Sequence, residues 1–114
     1  MPKKKVTWKS IVEQAAADLL KGIPEGSQIR SRDFERNVYA LAIVRAKGAQ
    51  KGWSEAQINR RYRARVGSRQ AFKFVKKVFQ NVPGGSVLIA AGDSVEGIAN
   101  KIVDRKAPKW LTQK

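Results

Sequence analysis

A mainly α-helical domain is what this sequence predicts: a compact bundle of about five helices with at most a small two-stranded β element. Three observations carry that expectation. Apolar residues recur at three- and four-residue spacing in four separate stretches, the period of a helix with one buried face. Ser or Asp stands ahead of several of these stretches, while Gly and Pro stand behind them. Only two short segments, 27–30 and 86–91, read as extended.

The first helix is expected over about 8–21, with Ser10 and Glu13 as a capping box and Gly22 and Pro24 as the stop. Trp8, Ile11, Val12, Ala15, Ala16, Leu19 and Leu20 keep helical period along it. Pro24, Glu25 and Gly26 make a turn into the segment 27–30.

A long second helix is expected from Ser31 or Asp33 to Lys47. Val38 to Val44 carries no charge, and a helix apolar all round for two turns belongs at the centre of a domain. Gly48 to Gly52 reads as a polar loop.

The third helix starts from a second capping box, Ser54 with Gln57, with Trp53 placed to staple onto its first turn. Ile58, Tyr62 and Val66 give it a narrow apolar stripe. A fourth helix is expected over 69–80, capped by Ser68 and stopped by Asn81, Val82 and Pro83. Ala71, Phe72, Val75, Val78 and Phe79 fall on one of its faces, and Arg69, Gln70, Lys73, Lys76, Lys77 and Gln80 on the other. Pro83-Gly84-Gly85 is a turn, and the apolar run 86–91 is a buried strand able to pair with 27–30. Asp93 caps a last helix over about 94–105, with Val95, Ile98, Ala99, Ile102 and Val103 inward. The expected organisation is a basic arm (1–6), one helical domain (7–107) and a basic tail (108–114) whose Trp110 and Leu111 dock back on the domain or serve as a handle for a neighbouring subunit.

Charge dominates the functional reading. The 114 residues hold 24 Lys or Arg against 9 acids, a net charge of +15, with 42% apolar residues. That is enough apolar content for a packed core and enough positive charge to call for a polyanion. Between Arg45 and Asn81 stand eleven Lys or Arg and one acid, Glu55. Arg60, Arg61, Arg63 and Arg65 fan over the third helix around its apolar stripe. Arginine at all four places suits phosphate, because its planar fork donates bidentately and is weakly hydrated. Lys51 leads into this stretch. Arg30, Arg32 and Arg36 cluster at the start of the second helix, where cations oppose the helix dipole and an anion would be welcome, though Asp33 and Glu35 lie among them. Lys3, Lys4 and Lys5 form a terminal run that reads as a solubilising tail or as an arm along a phosphate backbone.

Other chemistry is excluded by what the chain lacks. It has no Cys and no His, so zinc sites, disulfides and His-based catalysis are out. Asp93 and Glu96 are better read as a helix start than as a metal pair. Pro83-Gly84-Gly85-Ser86 matches neither phosphate-loop nor dinucleotide fingerprints. No apolar run approaches the length of a membrane span. The expectation is a protein that is no enzyme, carries no cofactor, avoids membranes and associates with nucleic acid in a nucleoid or a virion.

Residues Gln57 to Lys77, and above all Val66-Gly67-Ser68-Arg69-Gln70-Ala71-Phe72, resemble a helix-turn-helix of the kind found in repressors and winged-helix domains. The resemblance implies that Ser68, Arg69, Gln70, Lys73 and Lys77 face the major groove; Lys76 joins the candidate binding residues through the cationic face alone. Arg63 stands where the family has a small residue, and Ser68 follows the turn glycine where it has an apolar one. Three readings follow. The first is an architectural protein coating double-stranded DNA through its phosphates, which suits the spread of cations over the whole chain, and homo-oligomeric. The others are a site-specific helix-turn-helix regulator and an RNA-binding or ribosomal protein.

Overall fold

The computed structural model describes residues 7–24, 27–72, 88–89 and 94–112. Helix α1 (Trp8–Gly22) opens from Thr7, whose hydroxyl accepts from the Ser10 amide at 3.1 Å while the Ser10 hydroxyl accepts from the Thr7 amide. The capping box is thus one turn earlier than the expected Ser10–Glu13 pair, since Trp8 is needed inside the helix to reach the core. Its inward face carries Trp8, Ile11, Val12, Ala15, Ala16 and Leu19, all buried. Pro24, which has no amide proton to continue the ladder, follows the end of the helix.

Strand β1 (Gln28–Ile29) pairs in parallel with β2 (Leu88–Ile89), Gln28 opposite Leu88 and Ile29 opposite Ile89. The two extended segments therefore meet as expected, but over two residues each.

Helix α2 (Ser31–Lys51) is the centre of the molecule, about 31 Å long at 1.5 Å per residue. Phe34, Val38, Leu41 and Ala42 have no exposure at all, and Ala40, Ile43, Val44 and Ala46 have almost none. Burying one such large side chain fully contributes roughly 1.5–3 kcal/mol. The helix does not end at Lys47: it runs through the expected loop to Lys51 and closes at Gly52, whose φ of 71° and ψ of 32° are left-handed. Gly48 explains the extension. A Cβ there would lie 3.1 Å from Ile58 and 3.3 Å from Trp53, so the missing side chain lets the next helix cross closely. That contact offsets the roughly 1 kcal/mol that glycine costs in a helix interior.

Helix α3 (Glu55–Val66) has the Ser54–Gln57 capping box as expected, with the Gln57 amide donating to Ser54 Oγ at 3.2 Å and the Ser54 amide donating to Gln57 Oε1 at 2.9 Å. Ile58 and Tyr62 are buried and Val66 is half-buried. The helix stops at Gly67, with φ 102°. Beyond it, Ser68 to Gln70 form a turn and Ala71 and Phe72 are coil. The fourth helix does not begin at Arg69, which corrects that expectation; its remainder, 73–80, lies outside the described residues.

Helix α4 (Val95–Arg105) is capped by Ser94, whose hydroxyl accepts from the Gly97 amide at 2.9 Å. Asp93, the expected cap, lies outside the described residues. Ile98, Ala99 and Ile102 are buried. A short α5 (Lys109–Thr112) occupies part of the expected tail. Among the described residues the fold is mainly helical, with five helices; the fifth is α5 rather than 69–80. α1, α3 and α4 all pack on α2, and α1 also packs on α4. The radius of gyration, 13.9 Å, is near the ~13 Å of a compact chain this long. Among the described residues no helix is long and apolar enough to cross a membrane.

Candidate nucleic-acid interface

Two polar clusters inside the bundle decide how α3 is presented. The first is an ionic cluster across three helices. Arg45 of α2 is 9% exposed; it donates from both terminal nitrogens to the Glu55 carboxylate at 3.1 Å, and one of them lies 3.0 Å from Asp18 of α1, which has no exposure. Gln14 donates to the other Asp18 oxygen at 2.8 Å. This corrects the count of cations available on the outside: Arg45 serves the interior. It also takes up Glu55, the acid at the start of α3.

The second cluster holds the turn after α3. The Tyr62 hydroxyl lies between two acceptors, Asn37 Oδ1 and the Phe72 carbonyl, the latter at 2.8 Å. The Phe72 amide donates to Asn37 Oδ1 at 3.0 Å, and Asn37 Nδ2 donates to the carbonyls of Asp33 and Gln70 at 2.8 and 3.2 Å. Burial pushes the Tyr62 phenol well above its usual range. Residues 67–72 are thereby fixed against α2.

The expected site residues divide accordingly. Lys3, Lys4, Lys5, Lys73, Lys76 and Lys77 lie outside the described residues. Arg30, Arg32, Arg36, Lys51, Arg60, Arg61, Arg63, Arg65, Ser68, Arg69 and Gln70 are all exposed. Arg30 pairs with Asp33 at 3.2 Å, so one of the two nearby acids does neutralise this cluster. Glu35 does not: it accepts from Lys101 at 3.2 Å and Lys106 at 2.9 Å on the α4 side. The bond from Lys106 chiefly, reinforced by Lys101 and opposed by partial burial, holds the Glu35 carboxyl below its usual range. Arg36 donates to Gln70 Oε1 at 3.0 Å, which brings the start of α2 and the turn after α3 into one surface.

On α3 itself the helical period sets Arg60 opposite the buried stripe, Arg63 to one side of it, and Arg61 and Arg65, one turn apart, to the other. Among the described residues none of the four enters a salt bridge. Arg63 and Arg65 gain from the helix dipole in the last turn, by a few tenths of a kcal/mol to about 1 kcal/mol, far from full neutralisation.

Sequence reasoning took Trp53 only as a staple. With Ile58 it does lie against Gly48, but its ring also carries the Arg61 guanidinium at 4.1 Å and the Lys51 ammonium at 5.7 Å. Next to it is a groove of about 320 Å³ lined by Ile43, Val44, Lys47, Trp53, Arg61, Ala64 and Arg65. Lys47 also reaches the ring of Trp110, at 5.9 Å, and Trp110 is 37% exposed. The spacing Trp53 to Arg61, two turns into the next helix, was the available signal. Set against family models, curated proteins and solved structures, the chain matches none of them.

Proposed function

We propose that this chain is a non-enzymatic, double-stranded DNA-binding protein of architectural or packaging type, homo-oligomeric on DNA and gripping the phosphate backbone. One observation carries the reading. The one acid within α3, Glu55, is engaged by Arg45, and Arg60, Arg61, Arg63 and Arg65 stand exposed without a carboxylate partner among the described residues. A solvated helix face of ordinary type interleaves acids for i,i+4 pairing; this one does not. Arg36 with Gln70, and Arg32 and Arg69 nearby in sequence, extend the same sign of charge beyond α3. Cations on several elements suit contact along a backbone better than the reading of one short site.

The test is charge reversal. Replacing Arg60, Arg61, Arg63 and Arg65 by glutamate abolishes retention on duplex DNA at low salt and leaves the helical circular dichroism intact; binding that survives removes the reading. Competition at one salt concentration then sets its type. Little preference among sequences supports packaging, while a selected site preferred about a thousandfold points to a regulator.

A further inference from the structure

We propose that the groove between α2 and α3 is a seat for one unpaired nucleobase, with the flanking phosphates held by Arg61, Arg65 and Lys47. The inference rests on the reading of α3 as a phosphate-binding face, and it names what the groove beside that face takes.

The lining has two kinds of surface. Ile43, Val44, Ala64 and the Trp53 ring are apolar; Lys47, Arg61 and Arg65 are cationic; no acid is among them. The occupant must therefore offer a flat apolar body and negative charge together. A duplex offers the charge but keeps its base faces inside the stack, so it leaves the apolar surface unfilled. An unpaired nucleotide offers both. At about 320 Å³ the groove is at the small end of ligand clefts, suited to a single nucleotide.

The stacking surface is already assembled. The Arg61 guanidinium lies 4.1 Å from the Trp53 ring, and Lys51 approaches the same ring at 5.7 Å. A guanidinium seated over an indole keeps a side open to solvent, Arg61 being exposed, and bases stack on arginine planes as they do on aromatic rings. The arrangement is held from behind: Gly48 lets Trp53 and Ile58 sit close on α2, and Glu55 ties the start of α3 to Arg45. Trp53 thus divides two environments, with the Arg45–Glu55 pair on one side and the cationic groove on the other. For a protein that coats duplex DNA, such a seat would favour ends, gaps and opened segments.

The experiment compares three fluorescent probes of about fifteen nucleotides at one salt concentration: oligo(dT), an abasic oligomer of the same length and charge, and a duplex. Stacking of one base is expected to give oligo(dT) an advantage of about tenfold over the abasic strand. Ala64→Trp, an exposed position that fills the groove without changing charge, is expected to erase that advantage. Arg61→Lys, which keeps the charge and loses the plane, is expected to erase it too. Circular dichroism confirms that both variants fold. Equal binding of oligo(dT) and the abasic strand by the unaltered protein overturns the inference, as does an advantage that survives both substitutions. Binding of the duplex alone overturns the inference and leaves the phosphate-binding reading standing; binding of none of the three removes both.

Discussion

Arg45 donates from both of its terminal nitrogens to Glu55 at 3.1 Å, and this pair ties the start of α3 to α2. Behind it Asp18 is wholly buried and 3.0 Å from the same guanidinium. Arg45→Ala is therefore expected to cost about 3–5 kcal/mol, because it strands Asp18 without a counter-charge. Glu55→Gln is milder, about 1 kcal/mol or less, since that carboxylate is 49% exposed and water screens it. Urea denaturation of the two variants checks the order; equal losses would contradict the burial argument.

Asn37→Ala should loosen the turn after α3 more than Tyr62→Phe does. The phenol removes one hydrogen bond, worth about 1–1.5 kcal/mol, and leaves Asn37 still accepting from Phe72. The amide side chain removes partners from Phe72, Gln70 and Tyr62 together. Amide exchange at Phe72 reads this directly, with faster exchange expected in Asn37→Ala.

Tyr62 also imposes an alkaline limit. Its phenol, ordinarily at 10.0, is raised in the folded state by burial. The unfolded chain releases the proton first, so the stability tied to Tyr62 is whole below pH 10 and falls as the pH rises above it. Tyr62→Phe is expected to lack that part of the alkaline fall in thermal melts.

Glu35 acts at the other end of the scale. Its carboxyl is held below its ordinary value of 4.5 by Lys106 and Lys101. A depressed folded pKa means that the stability is present above the ordinary carboxylate range and is lost as pH falls through the folded value. Glu35→Gln should cost on the order of 0.5–1 kcal/mol at neutral pH and show a shallower loss of stability on acidification.

For DNA binding, Arg60→Gln with Arg63→Gln is expected to reduce the magnitude of the log–log salt slope by about 1.8, near 0.9 for each lost phosphate contact. The loss should be uniform across duplex sequences. Titrations at several salt concentrations decide it, and an unchanged slope would place the outer face of α3 away from the backbone.

Much of this architecture was legible because it is written in local period. The inward face of α1, the apolar centre of α2, the Ser54–Gln57 cap and the exposure of the α3 arginines all follow from spacing along one helix. The pairing of 28–29 with 88–89 followed from one short apolar run, 86–91, and one short extended segment, 27–30, with no other partner in view. What escaped depended on residues far apart in the chain. Arg45 reads as one more surface cation until Asp18 and Glu55 are brought to it, although Asp18, an acid between Ala15 and Leu19 on an apolar face, was a usable warning. Ser68 has the chemistry of a helix cap, but Asn37 and Tyr62 hold Gln70 and Phe72 in a turn instead. Gly48 reads as a loop residue because its reason for being glycine is a neighbour on the next helix.

The Trp8 indole donates to the carbonyl of Ile102, 94 positions away, at 3.3 Å, and α4 covers α1. On a ribosome adding roughly 5–20 residues per second, the earliest helix would wait some 5–20 s for the segment that shields it. Until then the Trp8 indole N–H lacks its Ile102 partner and, of the two helices it packs on, α1 has only α2. Emergence of α4, rather than early local collapse, is thus the step that completes the cover of α1.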